Sequence, residues 1–187
     1  MKQMLVTITE DITGFFCDYA AAGATLAAVV VIVYWCILLL GRGAFCQARP
    51  AFRQIARKSG VLFLLALYVY IVVGITVLSR SESQTRHAYF ELFRTFQDTF
   101  VARKQIYENV ILFVPYAFLL FLLAEFFRNG WLMFAIGLMS SFVIETTQWI
   151  TQTGYFEIDD IWTNVVGMML GYMICLGLRK MIRNCRR

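Results

Sequence analysis

Within an otherwise apolar part of the chain, Glu145, Gln148, Glu157, Asp159, Asp160 and Asn164 fall inside a stretch of 20 residues. Ionisable and amide groups at membrane depth are rare and by default mark a site. A carboxyl group whose pKa is raised by burial or by a neighbouring carboxylate can serve as a general base, and Glu145 and Asp160 are the candidates for it. Asn109, Gln148 and Asn164 would then orient a substrate. Alternatively, Glu145, Asp159 and Asp160 could share a hard divalent cation, since carboxylate oxygens suit Mg²⁺ or Ca²⁺. A third use requires no chemical step, only binding of a polar head group. The single histidine, His87, and the absence of a paired thiolate do not point to zinc hydrolysis, and no cofactor is expected.

These side chains need two helices to position them. At 3.6 residues per turn, Glu145, Gln148 and Gln152 share one face of the first. On the second, Asp160, Asn164, Gly167 and Gly171 form a stripe that is polar at one end and bare at the other. Gly167 and Gly171 make a small-xxx-small pair, which lets a neighbouring helix approach closely where lipid provides no hydrophobic drive for association. That face suits contact within a bundle or between copies, and the sequence leaves the oligomeric state open. A short turn between the helices makes them antiparallel, so their polar ends should meet in one carboxylate–amide cluster. Either Asp159 or Asp160 is also a natural N-cap for the second helix, where a carboxylate accepts backbone N–H bonds and is favoured by the helix dipole.

The surrounding composition is that of an integral membrane protein. Hydrophobic residues make up 60% of the 187, the mean hydropathy is +0.67, and a soluble domain uses roughly 45–50%. About 20 apolar residues cross the hydrocarbon, and five such segments are expected: about Ala20 to Leu40, Val61 to Leu78, Val110 to Phe127, Trp131 to Ile150 and Ile161 to Leu178. The acidic tail before the first segment is unlike a cleavable signal peptide, so that span is expected to be retained. The whole reads as one all-α membrane domain of residues 1–187, a polytopic helix bundle. The basic residues, which give a formal charge of +5, sit in clusters flanking the spans, a membrane-topology pattern rather than a nucleic-acid surface. Arg42, Arg49, Arg53, Arg57, Lys58, Arg128 and the C-terminal Arg179, Lys180, Arg183, Arg186 and Arg187 outnumber Lys2, Arg80, Arg86, Arg94, Arg103 and Lys104 on the other side. The positive-inside rule then puts the N-terminus outside, the C-terminus in the cytoplasm and the carboxylate cluster at the outer surface of the cell membrane.

One long connection, residues 81–108, lies on that same side. Tyr89, Phe93, Phe96 and Phe100 recur at helical spacing with Arg94, Gln97 and Asp98 between them, which predicts an extracytoplasmic amphipathic helix at the interface, placed as a lid or as simple packing. Glu125, near the other end of the third span, is expected to snorkel or to pair with Arg128. The five cysteines are scattered without metal-site spacing, and Cys36 and Cys175 fall in apolar spans as packing residues.

Arg80 after the second span, the run Asn109-Val110-Ile111-Leu112-Phe113-Val114-Pro115, Glu145 with Gln148, and Asp159-Asp160 followed by Asn164, Gly167 and Gly171 together resemble the VanZ-like family of small membrane proteins. The resemblance runs from about Tyr70 to Leu176 as a core (70–176), leaving residues 1–60 as an additional span and basic loop. Members often carry an Arg between the Gln and the paired Asp. Here that stretch reads TQTGYFEI, and Arg80 or Arg94 would have to substitute. The resemblance implies reduced susceptibility to lipoglycopeptide antibiotics of the teicoplanin type, through a site formed by Arg80, Asn109, Glu145, Gln148, Asp159, Asp160 and Asn164. Pro115, Gly167 and Gly171 would serve packing. The implied partners are membrane lipid and a lipoglycopeptide or lipid-linked envelope precursor. The alternative from the residues is an enzyme acting on a lipid-linked envelope substrate. A transporter fits less well, because no paired broken helices or inverted repeat is evident.

Overall fold

The computed structural model describes residues 2–40, 52–78, 87–92 and 100–185. They form helices α1 (Lys2–Leu40), α2 (Phe52–Val73), α3 (Phe100–Leu123), α4 (Gly130–Thr151) and α5 (Ile158–Cys185), with two short strands, β1 (Ala88–Tyr89) and β2 (Phe156–Glu157). Five helices are long and apolar enough to cross a membrane, and their large hydrophobic side chains, such as Val29, Ile32, Ile37, Met139, Val143 and Met173, face outward. A membrane is the solvent that such a surface requires, and helices satisfy their own backbone within it. The protein is an all-α, multi-pass membrane protein.

α3, α4 and α5 form the centre. Phe113, Ala117, Leu120, Phe121, Met133, Met168, Tyr172 and Cys175 make one buried core between them. Gly167 and Gly171 set the approach of α5 to α3: a Cβ at Gly167 would lie 2.9 Å from Val110 Cα, and one at Gly171 would lie 2.6 Å from the Val114 carbonyl oxygen. The small-residue face is therefore used inside the chain. Gly137 on α4 does the same against Met168. α1 packs on α2 at the edge of the bundle, with Gly23 against Tyr70 and Leu67 and the Trp35 indole N–H donating to Ser59 Oγ at 3.0 Å. Cys175 is buried as expected of a packing residue, whereas Cys36 is exposed on α1.

Irregularities in the helices have identifiable partners. Pro115, inside α3, has no N–H to give the Ile111 carbonyl, and at the next residue the Tyr68 hydroxyl donates to the Leu112 carbonyl at 2.5 Å. The last residues of the second span, Gly74–Leu78, wind as a π-helix, a form that recurs at functional sites. Asn129 caps α4 by accepting from the N–H groups of Trp131 and Leu132. At that end of the bundle Arg128 pairs with Glu125 at 2.8 Å, lies over the Phe121 ring and offers its carbonyl to the Tyr172 hydroxyl.

The connection before α3 differs from expectation where it is described. Tyr89 begins no helix; it lies in β1, which pairs in parallel with β2 so that Ala88 faces Phe156 and Tyr89 faces Glu157. Phe93, Arg94, Phe96, Gln97 and Asp98 lie outside the described residues, as does Arg80. α3 also starts earlier than predicted, so that Gln105 and Asn109 stand on one helical face together. An amphipathic apolar pattern marks the hydrocarbon-spanning part of a helix and is silent about a polar first turn or two above it.

Candidate functional site

Every sequence-predicted polar residue of the described part converges at the end of the bundle where α4 turns into α5. α4 contributes Ser141, Glu145 and Gln148, at i, i+4 and i+7, all buried. Glu145 is 2% exposed, and its Oε2 accepts the backbone N–H of Glu157 at 3.1 Å. Gln148 donates through Nε2 to the Thr76 carbonyl at 2.8 Å, joining α4 to the π-helical turn. Thr76 in turn donates its hydroxyl to the Val72 carbonyl.

α5 contributes Asp159, Asp160, Thr163 and Asn164, each buried. Both aspartates stand in its first turn, where the unpaired N–H groups and the dipole favour negative charge. Asp160 Oδ2 accepts from Gln105 Nε2 at 2.7 Å, and the same nitrogen lies 3.4 Å from Glu157 Oε2. Asn109 Nδ2 donates to Thr163 Oγ1 at 3.2 Å, and Asn164 Nδ2 donates to Ser141 Oγ at 2.8 Å. The cluster thus links α3 to α5, α5 to α4, and α4 to the second span.

The turn above the cluster is held from two sides. Gln152 closes α4 in the left-handed region, with φ 60° and ψ 23°, a role that glycine usually takes. Gly154, two residues on, has no positive φ. Phe156 N–H then donates to the His87 carbonyl at 3.2 Å, and the rings of His87, Tyr89 and Tyr155 stand within 6.0 Å of one another. The segment around Tyr89 therefore covers the α4–α5 turn as a strand. Glu145 holds that turn from beneath through the Glu157 N–H.

Asn109, Glu145, Gln148, Asp160 and Asn164 form a packed network and do not themselves wall an open cavity. Glu145, Gln148, Asp160 and Asn164 are each at most 5% exposed, with Asn109 half-buried at its edge. The open space lies just below. A cavity of about 330 Å³ is lined by Tyr68, Val69, Val72 and Val73 of α2, Leu112, Phe113 and Tyr116 of α3, and Met139, Ser140, Val143 and Ile144 of α4. Val72 is one turn from Thr76, Phe113 one turn from Asn109, and Ile144 one turn from Gln148. Among the described residues no three His, Cys, Asp or Glu side chains are grouped to hold a metal ion.

Sequence reasoning missed Gln105, Ser141, Thr163 and Thr76. Ser141 and Thr163 were within reach, since they extend the polar faces of Glu145 and of Asp160. Thr76 contributes only its carbonyl, and nothing in its side chain announces that.

The fold and this cluster define a polytopic helical membrane protein whose buried polar side chains, among the described residues, gather at one end of the bundle. The VanZ/LLP1 family model matches residues 60–180, and the chain belongs to that family. The match contains the cluster, the cavity, α3, α4 and most of α2 and α5, and leaves α1 outside. No curated protein and no solved structure matches the chain.

Proposed function

We propose that this VanZ/LLP1 protein lowers susceptibility to lipoglycopeptide antibiotics of the teicoplanin type by altering antibiotic or lipid binding at the outer face of the cell membrane. The excess of Lys and Arg at the opposite side supports an outward-facing α4–α5 end. The observation that carries the reading is the buried Glu145 carboxylate clasping the Glu157 N–H. It fixes the turn that presents Tyr155, Phe156 and Glu157 at the surface, and so makes a rigid polar edge beside apolar walls. That combination suits an amphiphile. Carboxylates repel an anionic head group, so a phosphate-bearing ligand would need Arg80, Arg94 or a bridging cation to offset them.

The test is teicoplanin tolerance in cells expressing Glu145→Gln and Asp160→Asn at wild-type levels. Both substitutions keep an acceptor oxygen and remove the ionisable proton. A presenting surface predicts a graded response, with most tolerance kept. An enzyme acting on a lipid-linked substrate predicts near-complete loss, because acid–base catalysis typically contributes 10²–10⁴-fold. Tolerance that is unchanged in both variants and also in Glu145→Ala would remove the cluster from the function.

A further inference from the structure

The cavity beside the cluster has a physical origin. α4 meets the second span at the π-helical turn Gly74–Leu78, through Gln148 and Thr76, and parts from α2 below that point. α3 closes the back of the gap with Leu112, Phe113 and Tyr116. The mouth is rimmed by Val69 and Val73 on one side and by Met139 and Val143 on the other, all exposed toward the bilayer. Phe113 and Val72, in the wall, are 3% and 8% exposed.

Water is a poor occupant. The lining is aliphatic and aromatic apart from three hydroxyls, and these are engaged: Tyr68 with the Leu112 carbonyl, and Tyr116 with Ser140 at 3.3 Å. A buried water requires two to four polar partners. An empty gap would forfeit the dispersion contacts of its whole lining. The surrounding hydrocarbon is continuous with the mouth, and it matches the walls in polarity.

We propose that this cavity holds one hydrocarbon chain of a membrane lipid, which enters laterally between α2 and α4 and lies below the carboxylate–amide cluster. Ser140 is eight residues from Gln148, so the chain would run about 12 Å below the level of the Gln148 side chain at 1.5 Å per residue. Its head group would stand beside the Gln105, Glu157 and Asp160 edge. Only that last placement rests on the function proposed above. Occupancy of the cavity by a chain is independent of it, and the experiment below uses no tolerance assay.

The full chain is reconstituted in nanodiscs of phosphatidylcholine and phosphatidylglycerol that include phosphatidylcholine with a mid-chain diazirine. After photolysis, labelled residues are mapped by peptide mass spectrometry. Phe113 and Val72 should be labelled at a level comparable to the lipid-facing Ile32 and Ile37, while Met133 and Met168, equally buried but away from the cavity, stay unlabelled. Val143→Trp, or Met139→Trp as a second filling variant, should reduce labelling of Phe113 about tenfold, equivalent to about 1.4 kcal/mol of chain binding, without changing that of Ile32. Both positions are more than half exposed, so the larger side chain need not disturb the core. Phe113 and Val72 as silent as Met133, or labelling that persists in both filled variants, would overturn the proposal. So would labelling of Phe113 by a diazirine-tailed teicoplanin but not by the lipid, which would assign the cavity to the antibiotic's own chain.

Discussion

Replacing Gly167 by Ala adds a single methyl group at the closest approach of two membrane helices. That methyl carbon would lie 2.9 Å from Val110 Cα, and closer still to the Val110 carbonyl oxygen, where ordinary contacts are about 3.5–4.0 Å. The obstacle is backbone, so no rotamer relieves it, and α3 and α5 must separate by roughly 0.5–1 Å. A gap of that size forfeits about a quarter to a half of each affected contact. The affected contacts belong to the core around Phe113, Ala117, Met168 and Tyr172. Overpacking of this kind costs about 1–3 kcal/mol, partly offset by the ~1 kcal/mol advantage of Ala over Gly in a helix. Gly177, ten residues further along the same helix, is the internal control, because nothing lies within 4 Å of its added Cβ. Gly177→Ala should therefore hold or raise stability. Thermal unfolding of purified protein in detergent should show Gly167→Ala melting several degrees below wild type, at about 2–4 °C per kcal/mol, and Gly167→Leu failing to accumulate. If Gly167→Ala melts with Gly177→Ala, at or above wild type, α3 and α5 do not approach as described.

Gln148→Ala leaves the buried Thr76 carbonyl without its donor, and should lower stability by about 1–3 kcal/mol in the same assay. Glu125→Ala, by contrast, removes one half of a surface pair whose carboxylate side chain is 88% exposed, and should change the melting temperature by no more than the ~0–1 kcal/mol of such pairs. For topology, a reporter active only in the cytoplasm should work when fused after Arg187 and fail when inserted near Gly154. The opposite pattern would turn the cluster toward the cytoplasm and end the outward-facing reading.

The membrane bundle was legible because hydropathy is a long, summed signal, while the cluster was legible in part because side-chain periodicity reports which groups share a face. Glu145 with Gln148, and Asp160 with Asn164, were placed correctly by spacing alone. What periodicity cannot report is whether a polar face lines an opening or meets another polar face. Here Asn164 meets Ser141 and Gln105 meets Asp160, so the polar faces fill the space between them. The cavity below was illegible for a different reason. It exists because a carbonyl at the end of the second span captures Gln148, and main-chain acceptors carry no sequence signature. Tyr89 misled because an aromatic at helical spacing reads the same whether it packs on a helix or, as here, meets Tyr155 edge-on from a two-residue strand.

The cluster's hydrogen bonds bear on how any loss of function is to be interpreted. In lipid, helices gain little from burying apolar surface against one another, and interhelical hydrogen bonds carry part of the association. Gln105, Asn109, Gln148 and Asn164 each bond across to another segment, so truncating any one of them perturbs the bundle and the proposed site at once. Glu145 has a different use, because its Oε2 accepts from the Glu157 N–H of the α4–α5 turn. Glu145→Gln retains a carbonyl oxygen for the Glu157 N–H and should melt within about 1 kcal/mol of wild type, whereas Glu145→Ala frees the turn and leaves a buried donor unpaired at about 1–3 kcal/mol. Melting temperature and tolerance measured on the same two variants therefore separate support of the turn from chemistry at the carboxyl. Stability and tolerance falling together in Glu145→Ala, with both kept in Glu145→Gln, is the result expected of a presenting surface; tolerance lost in Glu145→Gln at unchanged melting temperature would show that the proton itself is used.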